Sequence, residues 1–351
     1  MIPEWIYQEC PGISASHRAA AIARQAQLTK PTGALGRLEQ LAIDLAGMQQ
    51  AERPLARNVP IIIFAADHGI AAKGVSAYPQ EVTIAMMANF ASGGAAISVL
   101  ARELGSRLEV VDVGTLAQSP MPGIVTDKLR CGTRDFSEET ALEPEELAFA
   151  LDCGRRAVLR TGEPDLLILG EMGIGNTTAS AAIAAGLLGV RAEQVVGSGT
   201  GIDAAGRANK ARLIDAALAR HDLTSPAASP ERILCAVGGL EIAAMCGAII
   251  AAAQRRIPVL IDGFIVSAAA LMAARLNPSC RPFLLASHQS AEQGHSLVLQ
   301  ALNLQPLISL DLRLGEGSGA AIALPLVRLA CALHNDMATF AQANVPDRPA
   351  G

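Results

Sequence analysis

Aromatic rings are scarce in this chain. Of 351 residues only 3% are aromatic, with one Trp, two Tyr and seven Phe. A core without rings has to be filled by aliphatic and small side chains, and the abundant alanine points to helices packed closely around a buried sheet. Charge is also sparse, at 17%, and the net charge is −5 with a pI near 5.7. That balance argues against a broad nucleic-acid or anionic-membrane surface, while leaving room for a local basic pocket. Paired cysteines are missing. The seven thiols, at positions 10, 131, 153, 235, 246, 280 and 331, are scattered and none forms a CxxC pair. This excludes a disulfide framework and a paired-ligand structural zinc site, and fits a reducing cytoplasm. A long uninterrupted apolar run is not expected either, despite a mean hydropathy of +0.33. Gly173–Val190 carries glycines, an asparagine and threonines, and Ile242–Ala253 is too short to cross a bilayer. The opening "MIPEWIYQEC" has neither a basic n-region nor an apolar h-region, so no secretory signal is expected.

What is present is alternation. A chain this long and 51% hydrophobic can bury a large α/β core or two domains. Pro60–Ala66, "PIIIFAA", is a continuous apolar run of the kind that is buried on both faces of a parallel sheet. Leu108–Val113, Asp165–Leu169, Arg232–Val237, Pro258–Ile261 and Pro282–Leu285 read as further strands, most followed by a glycine-bearing or polar turn and an Ala-rich helix. The expected fold is α/β, with a doubly wound parallel sheet. Functional residues should then collect beyond the strand C-termini. Ser14–Ala51 reads as helical with a break at Pro31 and Gly33, Gly114–Leu142 as a long excursion, and "NVPDRPAG" as a mobile end.

Four strand-end segments carry candidate chemistry. In "GEMGIGNTTAS", glycines at 170, 173 and 175 allow backbone N–H groups to approach an anion, and Asn176, Thr177 and Thr178 add donors at a helix start. The alternative is a glycine turn with a threonine cap, and no Walker A lysine follows. "GSGTGID" at Gly197–Asp203 is followed by Arg207 and Lys210. Lys210 could neutralise a phosphate held by Gly199–Gly201, or be a surface lysine on an exposed helix. "SHQSAEQGH" crowds Ser287, His288, Ser290, Glu292 and His295 into one turn. No second cluster completes a metal shell, so capping and hydrogen bonding are expected of them, as loop ordering is of Asp67–His68. Lastly, "LRLGEGSGAA" isolates Glu316 between Gly315 and Gly317, with Ser318 as a candidate cap for the next helix. An acid there could bind a cation, cap a helix or act as a base.

Taken together and in order, these segments resemble the nicotinate-nucleotide:dimethylbenzimidazole phosphoribosyltransferase family of cobalamin nucleotide-loop assembly. The resemblance runs from "KPTGALGRLEQLA" at Lys30 through "FAADHGIAAKGVSAYPQEVT", "NFASGGAAISVLA", "GEMGIGNTTASAAI", "GTGID", "GGLEIAAMCGA", "DGFIVSAAAL" and "SHQSAEQGH" to "LRLGEGSGAA", and covers nearly the whole chain. It implies a Rossmann-like catalytic domain over 56–325, with helices on both sheet faces. A small helical domain would be formed by 1–55 with 326–351. The implied reaction moves the phosphoribosyl group of nicotinate mononucleotide to 5,6-dimethylbenzimidazole with inversion at the anomeric carbon, which points to direct displacement. By the same resemblance Glu316 is the proton acceptor and Glu171 a second active-site acid, orienting substrate or stabilising ribosyl cation charge. The donor would lie near Gly173, Gly175, Asn176, Thr177, Gly199, Thr200, Gly201 and Lys210. The acceptor would lie near Tyr78, Met86, Met172 and Leu314, with Asp67, His68, Asp262, Ser287 and His288 as supporting strand-end residues. No cofactor, metal, nucleic acid or membrane is implied; a homodimer is. Two departures from the family pattern stand out. Val82-Thr83-Ile84-Ala85-Met86 lacks a glutamine of the acceptor side, and Ser198 replaces an arginine. A different acceptor base, or a nucleotide-binding sensor without catalysis, are the rival readings.

Overall fold

The structure is a computed structural model that describes residues 2–225 and 228–346. The end of the "NVPDRPAG" tail lies outside the described residues. Six parallel strands form the central sheet: β1 (Ile61–Ala66), β2 (Leu108–Gly114), β3 (Val125–Thr126), β4 (Leu167–Met172), β5 (Val259–Ile261) and β6 (Leu284–Ala286), in the order β3-β2-β1-β4-β5-β6. Two short strands, β7 (His288–Gln289) and β8 (Ile308–Ser309), pair separately. Every residue of β1 is buried. Because strand side chains alternate between faces, both faces are covered, as a doubly wound sheet requires. The strand order reverses at β1, flanked by β2 and β4, and ligands in open α/β sheets bind outside the strand ends at such a switch point.

The helices are α1 (Ala15–Gln27), α2 (Arg37–Gln49), α3 (Val82–Ser92), α4 (Ala96–Glu103), α5 (Pro144–Arg160), α6 (Asn176–Leu188), α7 (Ala204–Arg220), α8 (Pro230–Val237), α9 (Leu240–Gln254), α10 (Phe264–Leu276), α11 (His295–Ala301) and α12 (Ser318–Asp336), with a last short turn at Phe340–Ala343. The small-residue core does what the shortage of rings predicts. α9 is buried from Leu240 to Ala253 and packs along α5. A Cβ placed on Gly154 of α5 would stand 1.9 Å from the Ala244 carbonyl oxygen of α9, so the two backbones touch where only glycine fits.

Arg232–Val237 is not a strand but part of α8. Ser229 caps it by accepting from the Arg232 N–H at 3.3 Å, Pro230 occupies the first turn, and Glu231 follows at the positive end of the helix. These start signals outweigh a short apolar run, which by itself does not separate strand from buried helix. The other strand runs sit within a few residues of the expected bounds. The two-residue β3 lies inside the Gly114–Leu142 excursion, where nothing local marks it.

Val82–Glu103 has the length and hydropathy of a membrane span, contrary to the expectation that no stretch would. It is broken after Ser92 by Gly93, at φ 85°, into α3 and α4, of 11 and 8 residues. Each piece is too short to span.

Helix α12 runs without interruption through position 325. Near its C-terminal end the Arg24 guanidinium of α1 donates to the carbonyl oxygens of His334 (2.6 Å) and Asn335 (2.8 Å). The extreme N-terminal segment sits elsewhere, on the sheet body, where Trp5 Nε1 donates to Asp152 at 2.6 Å.

Candidate active site

The strand ends around the switch point line a cleft of about 340 Å³. One wall carries the acids. The chain turns through three successive left-handed residues, Gly315 (φ 84°), Glu316 (φ 63°) and Gly317 (φ 81°). A left-handed glutamate costs about 1–2 kcal/mol, strain of the kind that clusters at functional sites. The turn is held by two carboxylates. The Glu316 N–H donates to Glu171 Oε1 at 3.3 Å, and the Gly317 and Ala320 N–H groups donate to Asp262 at 3.1 and 2.9 Å. A Cβ on Gly315 would stand 2.3 Å from Glu171 Oε1, and one on Gly170 2.5 Å from the Glu316 carbonyl. Asp262, at the end of β5, is therefore the N-terminal cap of α12. Ser318, expected in that role, is the helix's first residue, and its Oγ has no hydrogen-bond partner. The reason is geometric: a carboxylate arriving from another strand takes the free N–H groups first and suits the positive helix end better than a hydroxyl.

Burial then acts on the acids. Glu316 is 6% exposed and its Oε2 has no hydrogen-bond partner. Desolvation, reinforced by the nearby Asp262 charge, pushes its pKa up to about 7. Glu171 lies deeper. Burial, then Asp262, drives its carboxyl well above the ordinary range, although it accepts hydrogen bonds from the Glu316 N–H and from Asn176 Nδ2. Burial lowers the pKa of His288, and Asp262, with Oδ1 at 3.8 Å, partly offsets this.

The opposite wall is built of glycine loops. Gly175 is the N-cap of α6, at φ 101°, and Asn176 and Thr177 open that helix into the cleft. Lys210 of α7 is 1% exposed, so it is not a surface lysine. Its Nζ donates to Thr177 Oγ1 at 2.7 Å, and burial lowers its pKa to about 8. Thr200 ties the second loop down, accepting from the Ala77 N–H at 2.9 Å beside Tyr78. Arg207 Nη1 donates to Ser198 Oγ at 3.3 Å. The apolar part of the lining includes Met172, Phe264, Ile265 and the exposed Leu314.

The cleft thus collects Glu316, Glu171, Asp262, His288, Tyr78, Met172, Leu314, Gly173, Asn176, Thr177, Gly199 and Thr200. Gly175 and Lys210 are buried just behind that lining, whereas Gly201 is exposed and outside it. Met86 and the exposed Ala85 are outside it. Asp67, His68 and Ser287 are wholly buried behind the strand ends: Asp67 accepts from the Leu116 N–H at 2.8 Å, His68 Nε2 lies 2.6 Å from Glu241, and Ser287 Oγ lies 3.0 Å from His288 Nδ1. Phe264–Val266, Ser290, Glu292 and Arg313 also line the cleft and were not singled out as binding residues. The position of "DGFIV" directly after β5 was the available signal. Among the described residues no group of three or more His, Cys, Asp or Glu side chains could hold a metal.

A 3-2-1-4-5-6 sheet with buried acids and anion-ready glycine loops lining one partly apolar cleft defines a Rossmann-like enzyme of small anionic substrates. The comparisons make this specific. A family model described as Phosphoribosyltransferase matches residues 10–345. A nicotinate-nucleotide–dimethylbenzimidazole phosphoribosyltransferase of Bradyrhizobium diazoefficiens is 79% identical over 100% of both chains. One from Ectopseudomonas mendocina is 55% identical over 99% of each. The crystal structure of a protein so named from Thermus thermophilus superposes with a TM-score of 0.90 at 42% identity, covering 96% of this chain and 100% of that one. The chain belongs to this phosphoribosyltransferase family.

Proposed function

We propose that this chain transfers the 5-phosphoribosyl group of nicotinate mononucleotide to a ring nitrogen of 5,6-dimethylbenzimidazole, giving α-ribazole 5′-phosphate and nicotinate in cobalamin biosynthesis. The observation that carries the reading is the buried, unpartnered Oε2 of Glu316, a residue that lines the same cleft as the glycine loops. One benzimidazole nitrogen attacks the anomeric carbon as the bond to the pyridinium nitrogen breaks. The leaving nicotinate keeps that electron pair, so it needs no acid. The other benzimidazole nitrogen loses its proton to Glu316. A carboxylate with a pKa near 7 is well matched to that transfer at neutral pH.

Glu171 acts differently from a charged stabiliser of the ribosyl cation. Its raised pKa favours the neutral acid, and its bonds to the Glu316 N–H and to Asn176 make it a positioning group between the two walls. Lys210, Thr177 and the Gly199–Gly201 amides hold the donor phosphate, with Gly173, Gly175 and Asn176 beside the ribose. Tyr78, Met172 and Leu314 grip the flat base, and Asp262 and His288 fix the turn that carries Glu316.

The chain works in the cytoplasm as a homodimer in this reading. The seven free cysteines fit a reducing compartment, and the apolar Val82–Glu103 stretch, only 33% buried in its most hydrophobic window, supplies a face for a second copy. Of the small helical unit, the described residues supply α1, α2 and the end of α12, while the extreme N-terminal segment packs on the catalytic body. The test is incubation with nicotinate mononucleotide and equimolar dimethylbenzimidazole, adenine and phenol. Mass spectrometry should show the phosphoribosyl group predominantly on dimethylbenzimidazole. Preferential labelling of adenine or phenol would overturn the acceptor assignment.

A further inference from the structure

One acid in the cleft has no part in the chemistry above. Glu292 lies between β7 and α11, on the turn that follows Ser290, and is 8% exposed. Its Oε1 accepts a hydrogen bond from the Gly199 N–H at 3.0 Å. Its Oε2 presses against Gly197 so closely that a Cβ there would stand 1.8 Å away. The same glycine loop meets the buried cation: a Cβ on Gly199 would stand 2.9 Å from Thr177 Oγ1 and 3.5 Å from Lys210 Nζ. Glu292 supports the charge of Lys210, opposing the effect of its burial. A carboxylate, a loop amide, a hydroxyl and an ammonium thus converge on one spot. That set is the donor complement of a phosphate site, with a carboxylate of the chain itself in the anion's place.

We propose that Glu292 is a resident counter-ion of the phosphate subsite, which the substrate phosphate displaces from the Gly199 N–H when it binds. This rests on the reading of the Lys210 loop as the donor-phosphate site. A phosphate dianion and a carboxylate sharing one N–H donor at hydrogen-bond distance repel each other strongly in a buried site. Binding therefore requires Glu292 to give up its bond. In exchange, Glu292 holds the loop and keeps a negative charge near Lys210 while no substrate is present, because a buried ammonium without an anion is costly. Glu292 is then a positioning residue that sets donor affinity from the wrong side: it holds the site in shape and weakens what binds there.

The experiment compares wild type with Glu292→Gln, which keeps an acceptor oxygen for Gly199 and loses the charge. Calorimetric titration with inorganic phosphate and with nicotinate mononucleotide is run at pH 6.5, below the Lys210 pKa of about 8. The expected result is binding about tenfold tighter in Glu292→Gln, from the removal of a like charge. In steady state the donor KM falls while the acceptor KM stays put. A residue that merely braces the fold would move both KM values upward. Equal or weaker binding in the variant overturns the counter-ion role and leaves the phosphate site standing. Failure of wild type to bind either ligand removes the phosphate site, and the inference with it. Should the variant not fold, the wild-type Gly199 amide resonance decides. It should shift on saturation with phosphate, and an unmoved signal overturns the proposal.

Discussion

The two walls of the cleft solve opposite electrostatic problems by opposite means. The wall around Glu316 gathers carboxyl groups: Glu171, Asp262 and Glu316 are all buried, and the Asp262 charge raises the cost of charging both glutamates. The wall around Lys210 gathers donors: loop amides, the start of α6 and a buried ammonium that burial weakens. The acid wall is assembled across the chain, from the ends of β4 and β5 and the turn before α12. The donor wall comes mostly from short local loops. Burial thus has one direction of effect, penalising charge, and two uses. It makes a carboxylate basic enough to accept a proton, and it keeps a cation in want of an anion.

The largest effect should come from the acid wall. Glu316→Gln should cut turnover by ~10²–10⁴-fold while nicotinate mononucleotide binding stays close to wild type. Near-normal turnover would end the assignment of the base and the contrast with it. On the donor wall, Lys210→Met should weaken donor binding by about 10–100-fold, the range for a lost charge-assisted hydrogen bond, with the acceptor KM unmoved. An effect on the acceptor instead would mean that the walls are assigned the wrong way round.

Gly315→Ala tests how tightly the acid wall is packed. Its Cβ would collide with Glu171 Oε1 at a backbone conformation that disfavours L residues, so a loss of about 1–3 kcal/mol in stability is expected from chemical unfolding. Asp262→Ala removes the cap of α12 and should cost about 1–2 kcal/mol. An unchanged unfolding midpoint would show that the cap contributes nothing.

The smallest effect is in the pH dependence of stability. The folded pKa of Glu316 is raised from 4.5 to about 7. Between those values the folded chain holds more protons than the unfolded one, so this group makes stability fall as pH rises through that window. Glu316→Gln should therefore be more stable than wild type at pH 8, by ~2–4 °C in Tm, with the gain vanishing below about pH 4.5. A gain that grows toward low pH would contradict the burial of this acid. In the wild type, activity should rise with pH through about 7 as Glu316 loses its proton.

Much of this was legible in advance, for reasons that differ between elements. The apolar runs of β1, β2, β4 and β5 and the glycines after β4 are local patterns, and local patterns are what a sequence displays directly. Arg232–Val237 misled because six residues with four buried side chains suit a strand or a helix equally, and the deciding Ser229 and Pro230 stand just ahead of the run. Ser318 misled because capping was sought in the nearest hydroxyl, whereas Asp262 arrives from a strand more than fifty residues earlier.

By itself, then, the sequence determined the class of fold, most of its central strands and the loops at which substrate groups are handled, because hydrophobic period and glycine placement act over a few residues. Only the tertiary structure decided which side chains share a charge environment. It buried Lys210, set Glu171 and Asp262 on the backbone around Glu316, and put Glu292 on the Gly199 amide. Such pairings depend on desolvation and on distances of about 3 Å between segments far apart in the chain, which no local pattern records.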